Sequence, residues 1–97
     1  MPPRIDNSLA SPSNLSVIIH RSIAIDCPVT GIPQPDIIWV KDGQQLATNR
    51  NDDIRVVSRG QRLEVNSADL SDAGKYKCIV KNAAGFVERN YQLHVWG

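Results

Sequence analysis

The stretch Asp72-Ala73-Gly74-Lys75-Tyr76-Lys77-Cys78 decides the fold, because it joins a tight turn to an alternating strand. Successive side chains of a strand point to opposite faces, so Tyr76 and Cys78 are predicted to face the core while the lysines face solvent. Gly74 suits the turn, since glycine adopts unusual dihedral angles without strain. We expect the Tyr76 hydroxyl to donate a hydrogen bond to the backbone of this turn. We expect the Asp72 carboxylate to accept from the turn amides or to pair with an arginine.

The only other cysteine is Cys27, which precedes Cys78 by 51 residues. A disulfide between them would close a loop of about 50 residues and stabilise the fold by roughly 4 kcal/mol in the loop-entropy model. It would also imply an oxidising compartment. The alternative is a pair of reduced, buried cysteines in an intracellular protein. Trp39 stands on the strand that follows Cys27, and in a two-sheet sandwich a tryptophan at this place packs on the disulfide.

Short runs of Ile and Val, separated by Gly, Pro, Asn and Asp, predict strands throughout the chain, and no segment keeps a helical period. The predicted strands are 15–19, 22–27, 37–41, 54–57, 62–65, 75–81 and 86–95. Two prolines assign residues 30–35 to a loop, and residues 46–53 form a polar loop or an irregular edge. Seven or eight short strands in 97 residues indicate an all-β, antiparallel sandwich of two sheets.

The alternation along these strands predicts the residues of the core. The residues expected to be buried are Ile23, Ile25, Cys27, Ile37, Trp39, Leu63, Val65, Leu70, Tyr76, Cys78, Val80, Leu93 and Val95.

Composition and motif content exclude several classes of function. Eleven Lys and Arg against ten Asp and Glu give a net charge of +1, whereas nucleic-acid-binding domains normally carry a clear basic excess. No apolar run approaches the roughly 18 residues that span a bilayer, so this segment is not expected to insert into a membrane. His20 and His94 stand in no metal-ligand spacing with the two cysteines, and Asp52-Asp53 lacks the spaced oxygens of a calcium loop. Without a Ser-His-Asp or paired-carboxylate arrangement, we expect no enzyme activity, cofactor or metal.

Taken in order, these motifs resemble the intermediate-type (I-set) domain of the immunoglobulin superfamily, over residues 3 to 95. The matching segments are Cys27, Pro33-Gln34-Pro35, Ile38-Trp39-Val40-Lys41-Asp42-Gly43, Leu63-Glu64-Val65, Asp72 to Cys78, and Asn82-Ala83-Ala84-Gly85. The cysteine separation is too short for a variable-type domain. The resemblance implies an immunoglobulin-like β-sandwich with Greek-key connections and one inter-sheet disulfide. By pattern it is similar to the tandem domains of hemicentin-like extracellular matrix and cell-adhesion proteins.

The resemblance also implies a domain organisation and a function. We expect residues 1–97 to form one domain, with a core at about 3–95, excised from a longer multidomain protein in which one domain follows another directly. Such a domain is a non-catalytic module that binds or spaces proteins outside the cell. Its partners would be other proteins, either neighbouring immunoglobulin domains or copies of itself. The alternative is an intracellular cytoskeletal module of the titin type, with reduced cysteines and a scaffolding or mechanical role.

Residues predicted to face outward on two neighbouring strands form a candidate interaction surface. Ile38, Val40 and Ile79 would make an apolar patch, and covering three such side chains would stabilise a contact by a few kcal/mol at about 25 cal/mol per Å². A row of basic side chains flanks the patch and is suited to weak contact with an acidic glycan. These are Lys75, Lys77 and Lys81. The alternatives are scattered exposed aliphatic side chains and a solvated basic face.

Asn14-Leu15-Ser16 is an acceptor sequence for N-glycosylation. Such triplets also arise by chance, so the alternative is an unmodified asparagine. An occupied Asn14 would favour the extracellular interpretation.

Overall fold

Residues 1–46 and 54–97 are described by the computed structural model, and within them the chain forms short strands joined by turns. The strands are β1 (Arg4–Ile5), β2 (Asn14–Ile18), β3 (Ile23–Asp26), β4 (Val29–Thr30), β5 (Asp36–Lys41), β6 (Gln44–Gln45), β7 (Ile54–Val57), β8 (Arg62–Val65), β9 (Gly74–Asn82) and β10 (Gly85–Trp96). Two single turns of 3-10 helix span Ser58–Gly60 and Leu70–Asp72. In this described part of the chain, no helix is long and apolar enough to cross a lipid bilayer.

The strands form two main sheets. Five strands pair in the order β2-β10-β9-β5-β6, and three strands pair in the order β3-β8-β7, while β1 and β4 make a separate short ladder. The chain passes from one sheet to the other between β3 and β5, and passes back before β7. The prediction of an all-β, immunoglobulin-like sandwich is confirmed.

One strand pair departs from the antiparallel pattern. β2 runs parallel to β10, from the Asn14–Gln92 pair to the Ile18–Trp96 pair. Parallel strands cannot be joined by a tight turn, and here residues 19–84 lie between the two partners. Alternation of side chains reports which face a residue occupies but not the direction of its neighbour, so the sequence pattern did not distinguish this pair.

The core follows the predicted alternation with one error. Nine of the thirteen predicted residues are fully buried, and Ile23, Ile37 and Val95 are partly buried against them. Leu70 is 58% exposed, so its prediction was wrong. It opens a 3-10 turn, and the buried residue of this region is Ala68, held by backbone hydrogen bonds with His20 and Arg21.

The segment predicted as a polar loop, 46–53, lies outside the described residues except for Leu46. Leu46 is buried, and its backbone N–H donates to the Trp39 carbonyl at 2.8 Å. The Asp52-Asp53 pair also falls outside the described ranges.

Replacing Trp39 with Ala should lower the free energy of unfolding by about 3–5 kcal/mol, because the change opens a large cavity between the sheets. The indole is 1% exposed, and its Nε1 donates to the Gly60 carbonyl at 2.7 Å. Chemical denaturation followed by circular dichroism measures the loss. The matched control is Trp96→Ala, which removes an indole that is 61% exposed and should cost under about 0.5 kcal/mol. Equal stabilities of the two variants would contradict the assigned facing of β5.

Candidate functional site

The disulfide and Trp39 lie at the centre of the core, and they determine which side chains of β5 and β9 face inward. Cys27 follows β3 in the three-stranded sheet and Cys78 lies in β9 of the five-stranded sheet, so their sulfur–sulfur bond joins the two sheets, with the Cα atoms 6.7 Å apart. Both cysteines are fully buried. Trp39 pairs directly with Cys78 across the β5–β9 ladder. Directly opposed side chains of neighbouring strands touch, so the indole lies beside the disulfide.

Tyr91 completes this interior, and the sequence analysis missed it. Its ring centroid lies 5.9 Å from that of Trp39, and its hydroxyl donates to the Asp26 carbonyl at 2.7 Å. The Arg89 guanidinium lies 5.3 Å from the centroid of the Tyr91 ring. Burial raises the pKa of Tyr91. The signal was present, because Tyr91 has the same parity as Leu93 two residues later.

The turn before β9 is held by side chains that bond to its backbone. The Tyr76 hydroxyl donates to the Asp72 carbonyl at 2.5 Å. Burial raises the pKa of Tyr76, and the Asp72 carboxylate adds to the effect. Asp72 accepts a hydrogen bond from the Asp69 N–H at 2.8 Å, and Asp69 in turn accepts from the Leu70 N–H at 2.8 Å. This reciprocal capping holds the 3-10 turn that leads into β9.

Gly74 is required by the neighbouring turn as well as by its own backbone. Its φ is +147°, and a Cβ added there would lie 2.6 Å from an Asp42 carboxylate oxygen. Asp42 occupies that space because its carboxylate accepts from the Lys75 N–H at 3.0 Å and pairs with the Lys41 ammonium at 3.0 Å. The hydrogen bond from the Lys75 backbone, followed by the contact with Lys41, lowers the pKa of Asp42. The β5–β6 turn is thereby tied to the start of β9.

The candidate interaction surface lies on the side of β5 and β9 that faces away from the disulfide. In the ladder Ile38 is opposite Ile79, and Val40 is opposite Lys77. Ile38, Val40 and Ile79 are each half-buried rather than fully exposed. Directly opposed aliphatic side chains cover part of each other's surface, so the apolar centre of this side exposes only a small area. We call this side of β5, β9 and the adjoining β10 the outer face.

Charges of both signs surround the apolar centre of the outer face. Lys75 and Lys81 are exposed, whereas the Lys77 ammonium lies 3.7 Å from the Glu88 carboxylate of β10. Lys81 is opposite the exposed Asp36 of β5. The predicted basic row therefore has acidic neighbours, which weakens its attraction for an acidic glycan.

Phe86 belongs to the same outer face, although the sequence analysis did not select it. The register places it opposite Lys81 and diagonal to Ile79, and its side chain is 69% exposed. Diagonal neighbours on one face lie within reach of aromatic side chains. Phe86 has the outward parity of Glu88, which would have identified it once the β9–β10 register was known.

The remaining candidate residues lie away from the apolar centre of this face. Asn14 is exposed at the start of β2 and is opposite Gln92 of β10. The His94 ring stacks on the Trp96 ring, with centroids 6.2 Å apart. Among the described residues, no three His, Cys, Asp or Glu side chains are grouped so that they could hold a metal ion.

Comparisons with known proteins agree with this geometry. The family model described as immunoglobulin I-set domain matches residues 7–95. Human hemicentin-1 is 38% identical over 95 residues, and mouse hemicentin-2 is 38% identical over 96 residues. These matches cover 98% and 99% of the chain but only 2% of each hemicentin. The crystal structure of the titin M3 domain is 25% identical, with a TM-score of 0.86, and the match covers 99% of this chain and 98% of that one.

Replacing Gly74 with Ala should destabilise the domain by about 1–3 kcal/mol, because a Cβ meets the Asp42 carboxylate and the backbone at positive φ is strained. Thermal unfolding measures the loss. Combining it with Asp42→Ala removes the collision, so the double variant should be more stable than the sum of the two single losses predicts. Strict additivity would contradict the proposed contact between these residues.

Proposed function

The chain belongs to the immunoglobulin I-set family, and from this we propose that it is a non-catalytic protein-contact and spacing module of an extracellular adhesion or matrix protein. Matches to the hemicentins support the matrix setting, and each match covers a small part of a very long relative. A module of this size, with sheets closed on a tightly packed core, contributes a rigid body and its surfaces to a longer protein. We propose that residues 1–97 are one unit of such an array.

One observation carries the contact function, namely the pairing of Ile38 with Ile79 at the centre of the outer face. The rigid interior behind it supports this assignment, because Trp39 and Cys78 occupy the alternate positions of the same two strands. An apolar centre with a charged rim is the usual composition of a protein-contact surface. The exposed Phe86 ring extends the apolar area toward β10.

We propose a second immunoglobulin domain of the same kind, here a second copy of this chain, as the partner of the outer face. A two-fold contact brings the same patch of both copies together, so the patch must complement itself. The rim meets this requirement, since it carries Asp36 and Glu88 as well as Lys75 and Lys81. A purely acidic partner, such as a sulfated glycan, would be repelled by the carboxylates of Asp36 and Glu88.

The buried disulfide supports an extracellular location, because such bonds form and persist in oxidising compartments. An intracellular cytoskeletal module is the alternative, and the likeness to the titin M3 domain favours it. The two locations differ in the state of Cys27 and Cys78.

Replacing both Ile38 and Ile79 with Ser should weaken self-association by roughly tenfold or more, since loss of about 1.4 kcal/mol of apolar contact corresponds to a factor of ten. Sedimentation equilibrium over a range of concentrations measures the dissociation constant. The control is Leu70→Ser, which removes an aliphatic side chain outside the sheet that is more exposed than Ile38 or Ile79. Thermal unfolding of every variant checks that the fold is intact. A wild-type chain that stays monomeric, or a dissociation constant unchanged in the double variant, would contradict the proposed contact.

The native protein should yield a Cys27–Cys78 cross-linked peptide when it is alkylated and digested without a reducing agent. Mass spectrometry of the digest before and after reduction identifies this peptide. The expected result is the linked peptide with no alkylated Cys27 or Cys78. Full alkylation of both cysteines before reduction would instead support the intracellular alternative.

A further inference from the structure

Two outward rows of side chains run side by side along β2 and β10, at the edge of the outer face farthest from β5. The β2 row begins at Asn14 and continues through Ser16 to Ile18. The β10 row lies beside it and ends at His94 and Trp96, which are opposite Ser16 and Ile18. The glycosylation acceptor and an aromatic stack therefore lie on one surface.

A groove leads from the acceptor sequence to the exposed indole. Its volume is about 570 Å³, and it is lined by Ser16, Val17, Ile18, Arg21, Ser22 and Trp96. Trp96 and Ile18 are 61% and 57% exposed, although they pair across the ladder. The groove thus begins at the third residue of the acceptor triplet and ends on the largest exposed side chain of this region.

We propose that an N-linked glycan on Asn14 lies along β2 and packs its sugars on Trp96. This inference rests on the proposed extracellular location, because the glycan is added in the secretory pathway. The Asn14 Nδ2 bonds to the anomeric carbon of N-acetylglucosamine from a lipid-linked oligosaccharide diphosphate. The bond between that carbon and the diphosphate oxygen breaks, the diphosphate leaves with the electron pair, and the amide nitrogen loses one proton.

The direction and chemistry of the groove fit an oligosaccharide. Side chains of a strand lean along the strand, and the row runs from Asn14 toward Ile18. Four residues of strand span about 13 Å, which a chain of several sugars covers and a single sugar does not. Sugar rings present a face of C–H groups that packs on an aromatic face, and the stacked His94–Trp96 pair supplies one. Arg21 offers donors for the hydroxyl groups at the end of the groove.

A glycan in this position would divide the surface of the five-stranded sheet. Among the described strands β2 lies at the edge of that sheet, and unpaired edges invite pairing with another chain. The glycan would cover this edge and leave uncovered the Ile38–Ile79 centre, whose residues lie on β5 and β9, three and two strands away. Contact through the outer face is then favoured over contact through the β2 edge.

The chain is tested after secretion from eukaryotic cells, as wild type and as Ser16→Ala and Ser16→Thr variants. Ser16→Ala destroys the acceptor while keeping Asn14, and Ser16→Thr preserves it. Intact mass measures occupancy, and acrylamide quenching of tryptophan fluorescence measures access to Trp96, because Trp39 is 1% exposed and contributes little. Because His94 already stacks on one indole face, a sugar seated on the other face should lower the quenching constant by about twofold or more in the glycosylated chains.

A trimmed glycan provides the matched control. Endoglycosidase digestion that leaves one N-acetylglucosamine on Asn14 should restore quenching to the level of Ser16→Ala, because one sugar does not reach Trp96. An unmodified secreted wild type would overturn the inference, and so would equal quenching with and without the full glycan. Either result leaves the Ile38–Ile79 association unaffected, and loss of that association leaves the glycan measurements unaffected.

Discussion

The contact of Trp39 with the Cys27–Cys78 disulfide is the constraint on which the rest of the structure depends. The bond joins a residue at the end of β3 to a residue within β9, so it connects the two sheets through the centre of the core. A cross-link of this span restricts the unfolded chain, and its buried sulfurs give the indole a fixed apolar neighbour. Tyr91 packs against the indole, and the Tyr91 hydroxyl donates a hydrogen bond to the carbonyl of Asp26, the residue before Cys27.

This interior determines what the protein presents to its surroundings. With Trp39 and Cys78 directed inward, the alternation of β5 and β9 directs Ile38 and Ile79 outward, directly opposite each other. Asp42, in the β5–β6 turn, fixes the register in which β9 starts. Its carboxylate accepts a hydrogen bond from the Lys75 N–H, and its own backbone N–H donates to the Lys75 carbonyl. The surface proposed for protein contact is thus a consequence of core packing and strand register together.

Much of this arrangement could be predicted from the sequence, because the relevant signals are local. Parity placed Tyr76, Cys78 and Leu93 inside, and Asp72 to Cys78 predicted the turn and strand that follow. The two-residue strands β1, β4 and β6 carry no periodic signal. The parallel pairing of β2 with β10 depends on residues far apart in the chain, and the position of Phe86 beside Lys81 depends on the β9–β10 register. Leu70 was misplaced because a turn has no alternation to extend, and the opposition of Ile38 and Ile79 depends on the β5–β9 register.

A double-mutant cycle between the disulfide and the indole tests the central claim most directly. The four chains are the wild type, Trp39→Phe, the paired change Cys27→Ala and Cys78→Ala, and the combination of all three substitutions. If the ring and the bond stabilise the core as one unit, their losses in unfolding free energy should be non-additive by about 0.5–3 kcal/mol. Additive losses would mean that the two features act independently, and would contradict the account.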